Sequence, residues 1–293
     1  MCRFTAYLGA PVIVSDVLYK SKHSLIAQSQ HAFKTEYVLN GDGFGLGWYT
    51  PEISPEPGLF RSIRPAWNDP NLKYLSCKIR THAFAAHVRS VTQGEVSLAN
   101  CHPFHNNKFL FMHNGDVENF SKIKRYFCAK LSDQAYEAVK GQTDSEHLFA
   151  LWGDKMSHIK EPHSISDYIK AFRQVLETVK ELEKTHKVSA KMQVSCVLCD
   201  GQRLFALRYS NRTRQGDKGQ TLYYALGVNH ETQAGYYYMD YEKSEKPKSL
   251  LVVSEPLDKE HSHWVPVKAN QVLLAELKEG VVVCKVKSFS AFK

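Results

Sequence analysis

Residues 193–210, QVSCVLCDGQRLFALRYS, read as two β-strands joined at Asp200-Gly201. Val, Cys, Leu, Phe and Tyr crowd both arms, and Asp-Gly supplies the positive-φ backbone that a tight hairpin turn needs. Further strand-like runs follow: TLYYALGV (221–228), AGYYYMDY (234–241), SLLVVSEPL (249–257) and VVVCKV (281–286). The polar stretch 211–220 is predicted to be a loop tip between two of them. Upstream, CRFTAYLG (2–9), FGLGWY (44–49), LFRSIR (59–64), THAFAAHVR (81–89) and KFLFMHN (108–114) have the same character, with Gly, Pro or Asn at their ends. A first helix is predicted over VLYKSKHSLIAQSQ (17–30), after an N-cap at Ser15 or Asp16. In the middle of the chain the apolar period changes. Thr143 and Glu146 in TDSEHLFALW have capping-box spacing. Tyr168, Ile169, Phe172, Val175, Leu176, Val179 and Leu182 then fall on one helical face. Strands, helices and strands again predict an α+β protein with helices layered on mainly antiparallel sheets, the sheets drawing on both ends of one domain.

The chain has 293 residues and a formal charge of +8, yet its basic residues are scattered among acids and form no long block or aromatic-basic motif. A nucleic-acid partner is therefore not expected. No apolar run reaches the ~18–20 residues of a membrane span, and the N-terminus lacks a secretory pattern. A cytoplasmic protein with reduced thiols is the expectation, and the odd number of cysteines, seven, agrees with it. Cys196 and Cys199 form a lone C-x-x-C without a second pair at metal spacing, and read as strand cysteines. The fourteen histidines give no HExxH or convincing Cys/His set; His261 and His263 precede Trp264 in a loop-like segment. Neither a metal nor a cofactor is predicted.

Cys2 is the most informative single residue. Removal of Met1, which small second residues permit, leaves a thiol beside a free α-amine. Their reference pKa values, about 8.5 and about 7.7–8.0, lie close enough for the amine to serve as base for its own side chain. Alone this proves little, since any residue can follow Met. Four further segments give it weight: NGDGFGLGWY (40–49), HVRSVTQG (87–94), MHNGDVENF (112–120) and QTDSEHL (142–148). With MCRFTAYLG they resemble the class II glutamine amidotransferases, hydrolases whose nucleophile is an N-terminal cysteine. The chain is most similar to the stand-alone branch, which includes γ-glutamyl-hercynylcysteine sulfoxide hydrolases and the amidotransferase-like subunit of the fungal glutathione-degrading complex. RPAWNDPNL (64–72) and VVSEPL (252–257) extend the resemblance over nearly the whole chain.

The resemblance implies a four-layer αββα sandwich, the N-terminal-nucleophile hydrolase fold, in a single domain over 2–293 with Met1 removed. It also implies roles. Cys2 is the nucleophile. Arg89 binds the substrate α-carboxylate, which suits a guanidinium fork, with Thr92 beside it; without the motif, an Arg ending a strand reads as a surface ion pair. Asp144 takes the α-ammonium group, although an acid there also serves the helix macrodipole. Asn114 and Gly115 form the oxyanion hole; in isolation Asn-Gly is a hairpin turn. Gly43, Gly45 and Gly47 fit no phosphate-binding pattern and read as a strand face closely approached by other groups; Asn40 and Asp42 beside them are hydrogen-bonding candidates.

The function so implied is hydrolysis of a γ-glutamyl amide through a γ-glutamyl thioester, on a glutathione-like or other small γ-glutamyl substrate. One alternative is a glutaminase subunit that supplies ammonia to a separate protein partner. Another is a binding or regulatory relative without turnover.

Overall fold

The computed structural model describes residues 2–32, 39–91, 94–212, 220–233, 236–240, 245–258 and 263–289. Thr92, His261 and most of the 211–220 loop lie outside the described residues. In chain order the strands are β1 (Arg3–Ile13), β2 (Phe44–Thr50), β3 (Ser54–Ser62), β4 (Arg80–Val88), β5 (Phe104–Asn106), β6 (Phe109–Val117), β7 (Met192–Cys199), β8 (Arg203–Ser210), β9 (Tyr223–Gly227), β10 (Asn229–Gln233), β11 (Tyr236–Asp240), β12 (Ser249–Val253), β13 (Val265–Pro266), β14 (Gln271–Lys278) and β15 (Val281–Ser288). The α-helices are α1 (Val14–Tyr19), α2 (Leu25–Gln30), α3 (Pro70–Ser76), α4 (Phe120–Cys128), α5 (Asp133–Ala138), α6 (Asp144–Ser157) and α7 (Ile165–His186).

The strands form a seven-stranded sheet of order β13-β9-β12-β1-β4-β2-β3, a six-stranded sheet of order β15-β14-β8-β7-β6-β5, and the β10-β11 pair. Neighbours run antiparallel throughout, and both large sheets combine strands from the two ends of the chain. Three apolar layers glue this together. Alternate residues of the two large sheets face each other, with Phe4, Ala6 and Leu8 of β1 against Leu110, Met112, Val197 and Ala206. The other face of the six-stranded sheet packs on α4, α6 and α7 through Phe111, Trp152, Phe172 and Val179. The outer face of the seven-stranded sheet packs on α1, α2 and α3 through Tyr7, Val17, Leu25 and Leu72. The resulting order, helices–sheet–sheet–helices, is the expected αββα sandwich.

Local expectations met different fates. The β7–β8 hairpin turns at Asp200-Gly201, where Gly201 has φ +87°. Tyr168, Phe172, Val175, Leu176, Val179 and Leu182 are all buried along α7. The single helix predicted over 17–30 is instead α1 and α2, separated at Lys20–Ser24. The break has a cause: His23 N donates to Leu257 O (2.8 Å), the His23 ring meets Glu255, and Ser24 starts α2 afresh by capping Ala27 N (3.3 Å). β14 carries Ala, Glu, Leu and Lys and so shows no strand bias in sequence; pairing on both edges, with β8 and β15, makes it a strand. No described helix is long and apolar enough to cross a membrane.

Candidate active site

Cys2 precedes the first residue of β1, and the register Arg3↔Val88 places it beside the residues that follow β4. The Cys2 thiol accordingly reaches Ser90 O at 3.4 Å, and Ser90 N points at Cys2 Sγ at 3.4 Å. Burial pushes this thiol above its ordinary value, opposed by the Ser90 N–H and by the cations Arg89 and Arg3. Burial thus favours the thiol over the thiolate. The start of β1 is held by the distant VVSEPL segment. Phe4 N donates to Ser254 Oγ (3.0 Å), and Arg3 Nε donates to Glu255 Oε2 (3.0 Å) in an ion pair almost wholly out of water. His23 Nε2 lies 2.7 Å from the other Glu255 oxygen.

The facing sheet brings Asn114 and Gly115. Both lie inside β6, paired with Ser195 and Val194 of β7, and not at a turn. Asn114 Nδ2 donates to Cys2 O at 2.9 Å, while Asn114 Oδ1 is 3.1 Å from His87 Nε2. The amide oxygen can only accept, so the His87 proton sits on Nε2. Burial drives the His87 imidazole down to about 3, so it stays a neutral donor at ordinary pH. The His102 ring lies against it, centroids 4.3 Å apart with the planes tilted by 31°, and is pushed well down by the same burial. Gly115 has φ +137°, and a Cβ there would stand 1.9 Å from Gln193 O, so only glycine fits.

Arg89 follows β4 and is braced on both sides: Arg89 N donates to Gly43 O (2.8 Å), Asp42 N donates to Arg89 O (3.0 Å), and Asp42 Oδ2 accepts from Val91 N (2.7 Å). Its guanidinium donates to Glu95 O at 3.0 Å. Asp42 thus serves the backbone around Arg89. Asn40, the other candidate of that segment, is fully buried and lines no part of the Cys2 cavity. The glycine strand behaves as expected, because a Cβ at Gly45 would meet His102 O at 2.1 Å.

Asp144 opens α6 after the Thr143 N-cap, whose Oγ1 accepts from Glu146 N at 3.3 Å. The capping box is only half made, since Glu146 turns away to accept from Lys140 N (2.9 Å) and Gly141 N (2.7 Å). The two Asp144 oxygens accept from Val117 N and Ser145 N, each at 2.7 Å, tying α6 to the end of β6. The Ser145 hydroxyl adds a longer bond to Asp144 Oδ1 at 3.4 Å, and a carboxylate offers about four lone-pair sites, so one remains. Burial pushes the Asp144 carboxyl up and the neighbouring His113 imidazole down.

Cys2, Arg89, Asn114, Gly115 and Asp144, scattered over 143 residues of sequence, line one cavity of about 400 Å³. Thr92 lies outside the described residues. Sequence reasoning missed Ser90, His87, His102 and the pair Asp116–Arg212, which share this cavity or brace it. Of these, His87 and Ser90 lie in the HVRSVTQG motif and Asp116 in MHNGDVENF, whereas His102 and Arg212 lie in none of the motifs. A more open hollow of about 690 Å³ beside α4, at Lys124, Cys128 and Tyr136, contains none of the residues expected to act. Cys196 and Cys199 are buried strand residues with no bond between them, and burial pushes the Cys199 thiol up to about 12. Among the described residues no group of three His, Cys, Asp or Glu is placed to hold a metal ion.

The chain as a whole is similar to several known proteins. The chain is 32% identical over 292 residues to the probable glutamine amidotransferase DUG3 of Saccharomyces cerevisiae, covering 93% of this chain and 81% of that protein. It is 32% identical over 120 residues to a γ-glutamyl-hercynylcysteine sulfoxide hydrolase of Mycobacterium tuberculosis, covering 40% of this chain and 50% of that one. A glutamine aminotransferase class-II domain protein from Silicibacter pomeroyi superposes with a TM-score of 0.64 at 26% identity, covering 98% and 99% of the two chains. The glutamine phosphoribosylpyrophosphate amidotransferase of B. subtilis shares the fold at 12% identity, with a TM-score of 0.58 over 98% of this chain and 49% of that one. The family pattern of the class-II glutamine amidotransferases matches residues 23–290, so the chain belongs to the class II glutamine amidotransferases.

Proposed function

We propose that this protein is an N-terminal cysteine amidohydrolase that cleaves γ-glutamyl amide bonds, acting as one domain over 2–293 after removal of Met1. The observation that carries the reading is the Asn114 amide, aimed at Cys2 by His87 within a cavity that also presents Arg89 and Asp144. Arg89 holds the substrate α-carboxylate and Asp144 its α-ammonium group. The freed Cys2 amine takes the thiol proton, and sulfur attacks the γ-carbonyl. Asn114 Nδ2 and Gly115 N–H stabilise the resulting oxyanion, a donor pair whose loss costs ~10²–10³ in rate per member. The C–N bond breaks as the leaving nitrogen takes the proton. Water then adds to the thioester, the S–C bond breaks, and glutamate leaves with the thiol restored. No step calls for a metal or cofactor.

A glutathione-like or other γ-glutamyl compound is the preferred substrate. The name of the yeast relative favours a second reading, a subunit that releases ammonia from glutamine for a separate partner. Mass spectrometry after exposure to the diazo-ketone analogue of glutamine tests the shared chemistry. A single adduct on an N-terminal Cys2, lost in Cys2→Ala, is expected. Absence of any adduct on protein that has lost Met1 sinks the stand-alone hydrolase. Assay of γ-glutamyl peptides against glutamine then separates the two substrates.

A further inference from the structure

The cavity beside Cys2 also contains an ion pair to which the proposed glutamyl contacts assign no role. Asp116 lies two residues beyond Asn114 on β6, on the same side of the sheet and opposite Gln193 of β7. It is paired with Arg212 through Asp116 Oδ2 and Arg212 Nη2, and both residues line the cavity. Arg212 follows β8 by two residues. Asn211, beside it, is pinned to the start of β7: Met192 N donates to Asn211 Oδ1 at 2.7 Å, and Asn211 N donates to Met192 O at 3.2 Å. Besides the Asp116 bond, Arg212 Nη2 donates to Lys191 O at 3.3 Å. Arg212 Nε is buried without a hydrogen-bond partner among the described residues. A guanidinium with five donors in a fixed fork is thus held from one nitrogen, at the wall of the cavity, with donor capacity unspent.

We propose that Arg212 anchors a carboxylate on the leaving-group side, which makes γ-glutamyl amino acids and peptides with a free carboxylate the preferred substrates over glutamine. This rests on the γ-glutamyl reading of the site. Arg89 and Asp144 take the two charges of the glutamyl end. In a γ-glutamyl amino acid the nitrogen of the second residue is spent in the scissile amide, so the one charge it keeps there is its carboxylate. A guanidinium can hold Asp116 at one edge and that carboxylate at another. Asp116 meanwhile balances the cation while the cavity is empty. Ammonia, the leaving group of glutamine, offers Arg212 nothing to hold. The cavity volume, about 400 Å³, lies within the ~300–1,000 Å³ range of sites that enclose larger small molecules.

Steady-state kinetics of the processed full chain on γ-glutamylalanine, γ-glutamylalaninamide and glutamine tests this. The wild type should favour the free acid over its carboxamide by about tenfold or more in kcat/KM, as expected where a site loses a charge-assisted partner. Arg212→Met combined with Asp116→Asn removes both charges together and should bring that ratio close to one. Arg212→Lys keeps the charge without the fork and should fall between, which keeps the question decidable if the double variant does not fold. A wild-type ratio near one, or a ratio that survives in the variants, overturns the role of Arg212 while leaving γ-glutamyl hydrolysis standing. Failure of the processed wild type to cleave all three compounds overturns both.

Discussion

Asn114 has two chemically different ends, and the proposed oxyanion hole depends on which one faces Cys2. His87 settles this by donating to Oδ1, which leaves Nδ2 for the Cys2 side. His87→Ala is expected to lower kcat by ~10–10²-fold, part of the cost of losing an oxyanion donor outright, with KM little changed. His87→Gln, which can still donate, should recover part of the loss, a rescue that general destabilisation does not produce. At Gly115 the constraint is steric: Gly115→Ala puts a methyl 1.9 Å from Gln193 O at a φ that side chains avoid. That substitution should abolish turnover and lower the melting temperature, read by kinetics and calorimetry on the same sample. Taken in isolation from its motif, the Asn114-Gly115 dipeptide reads as a turn. Pairing along β6 excludes the turn, and that pairing is a property of the sheet.

The decisive element is β1, since its first residues position Cys2, the proposed nucleophile. Its hydrogen-bonded register with β4 and β12 sets its line, and the Arg3–Glu255–His23 cluster pins its end. Breaking a buried ion pair from one side leaves an uncompensated charge, so Glu255→Ala should cost about 3–5 kcal/mol in urea unfolding. It should also speed alkylation of Cys2 as the strand end loosens. Unchanged alkylation alongside lost stability would separate the anchor from the site. The same cluster explains why residues 17–30 are two helices: the period continues through Lys20–Ser24, but His23 is drawn to Glu255, 232 residues away. Helical periodicity is local information, and that contact is not.

On the scale of the whole molecule, the sandwich closes over histidines that burial keeps neutral. His87 is held down at about 3 and His147 at about 4, and His102 is also well below its ordinary value. In the unfolded chain each titrates near 6.5. Between about pH 6.5 and those folded values the unfolded state binds more protons, so stability is full above pH 6.5 and falls as pH drops. The slope is up to about 1.4 kcal/mol per pH unit for each such histidine. Asp144 and Glu146, whose carboxyls burial raises, act in the opposite sense just above pH 4 and offset part of it. Melting temperatures measured from pH 8 to pH 4 should be flat and then fall below about 6.5. A melting temperature that rises on acidification contradicts the buried neutral state.

The sequence by itself determined the class of the protein: strand runs at both ends, an amphipathic helix with its apolar face from Tyr168 to Leu182, and ordered motifs around Cys2, Arg89, Asn114 and Asp144. Each is readable because periodicity and motif spacing are written along the chain. Only the tertiary structure decided that Asn114-Gly115 is strand rather than turn, that β14 is a strand at all, and that the VVSEPL segment clamps the start of β1 beside Cys2. It alone placed Arg212 and Asp116 in the cavity of Cys2. Most of these facts depend on residues far apart in sequence meeting, from Gln271↔Arg208 to Arg3–Glu255, and contacts of that range leave no period for a linear reading to find.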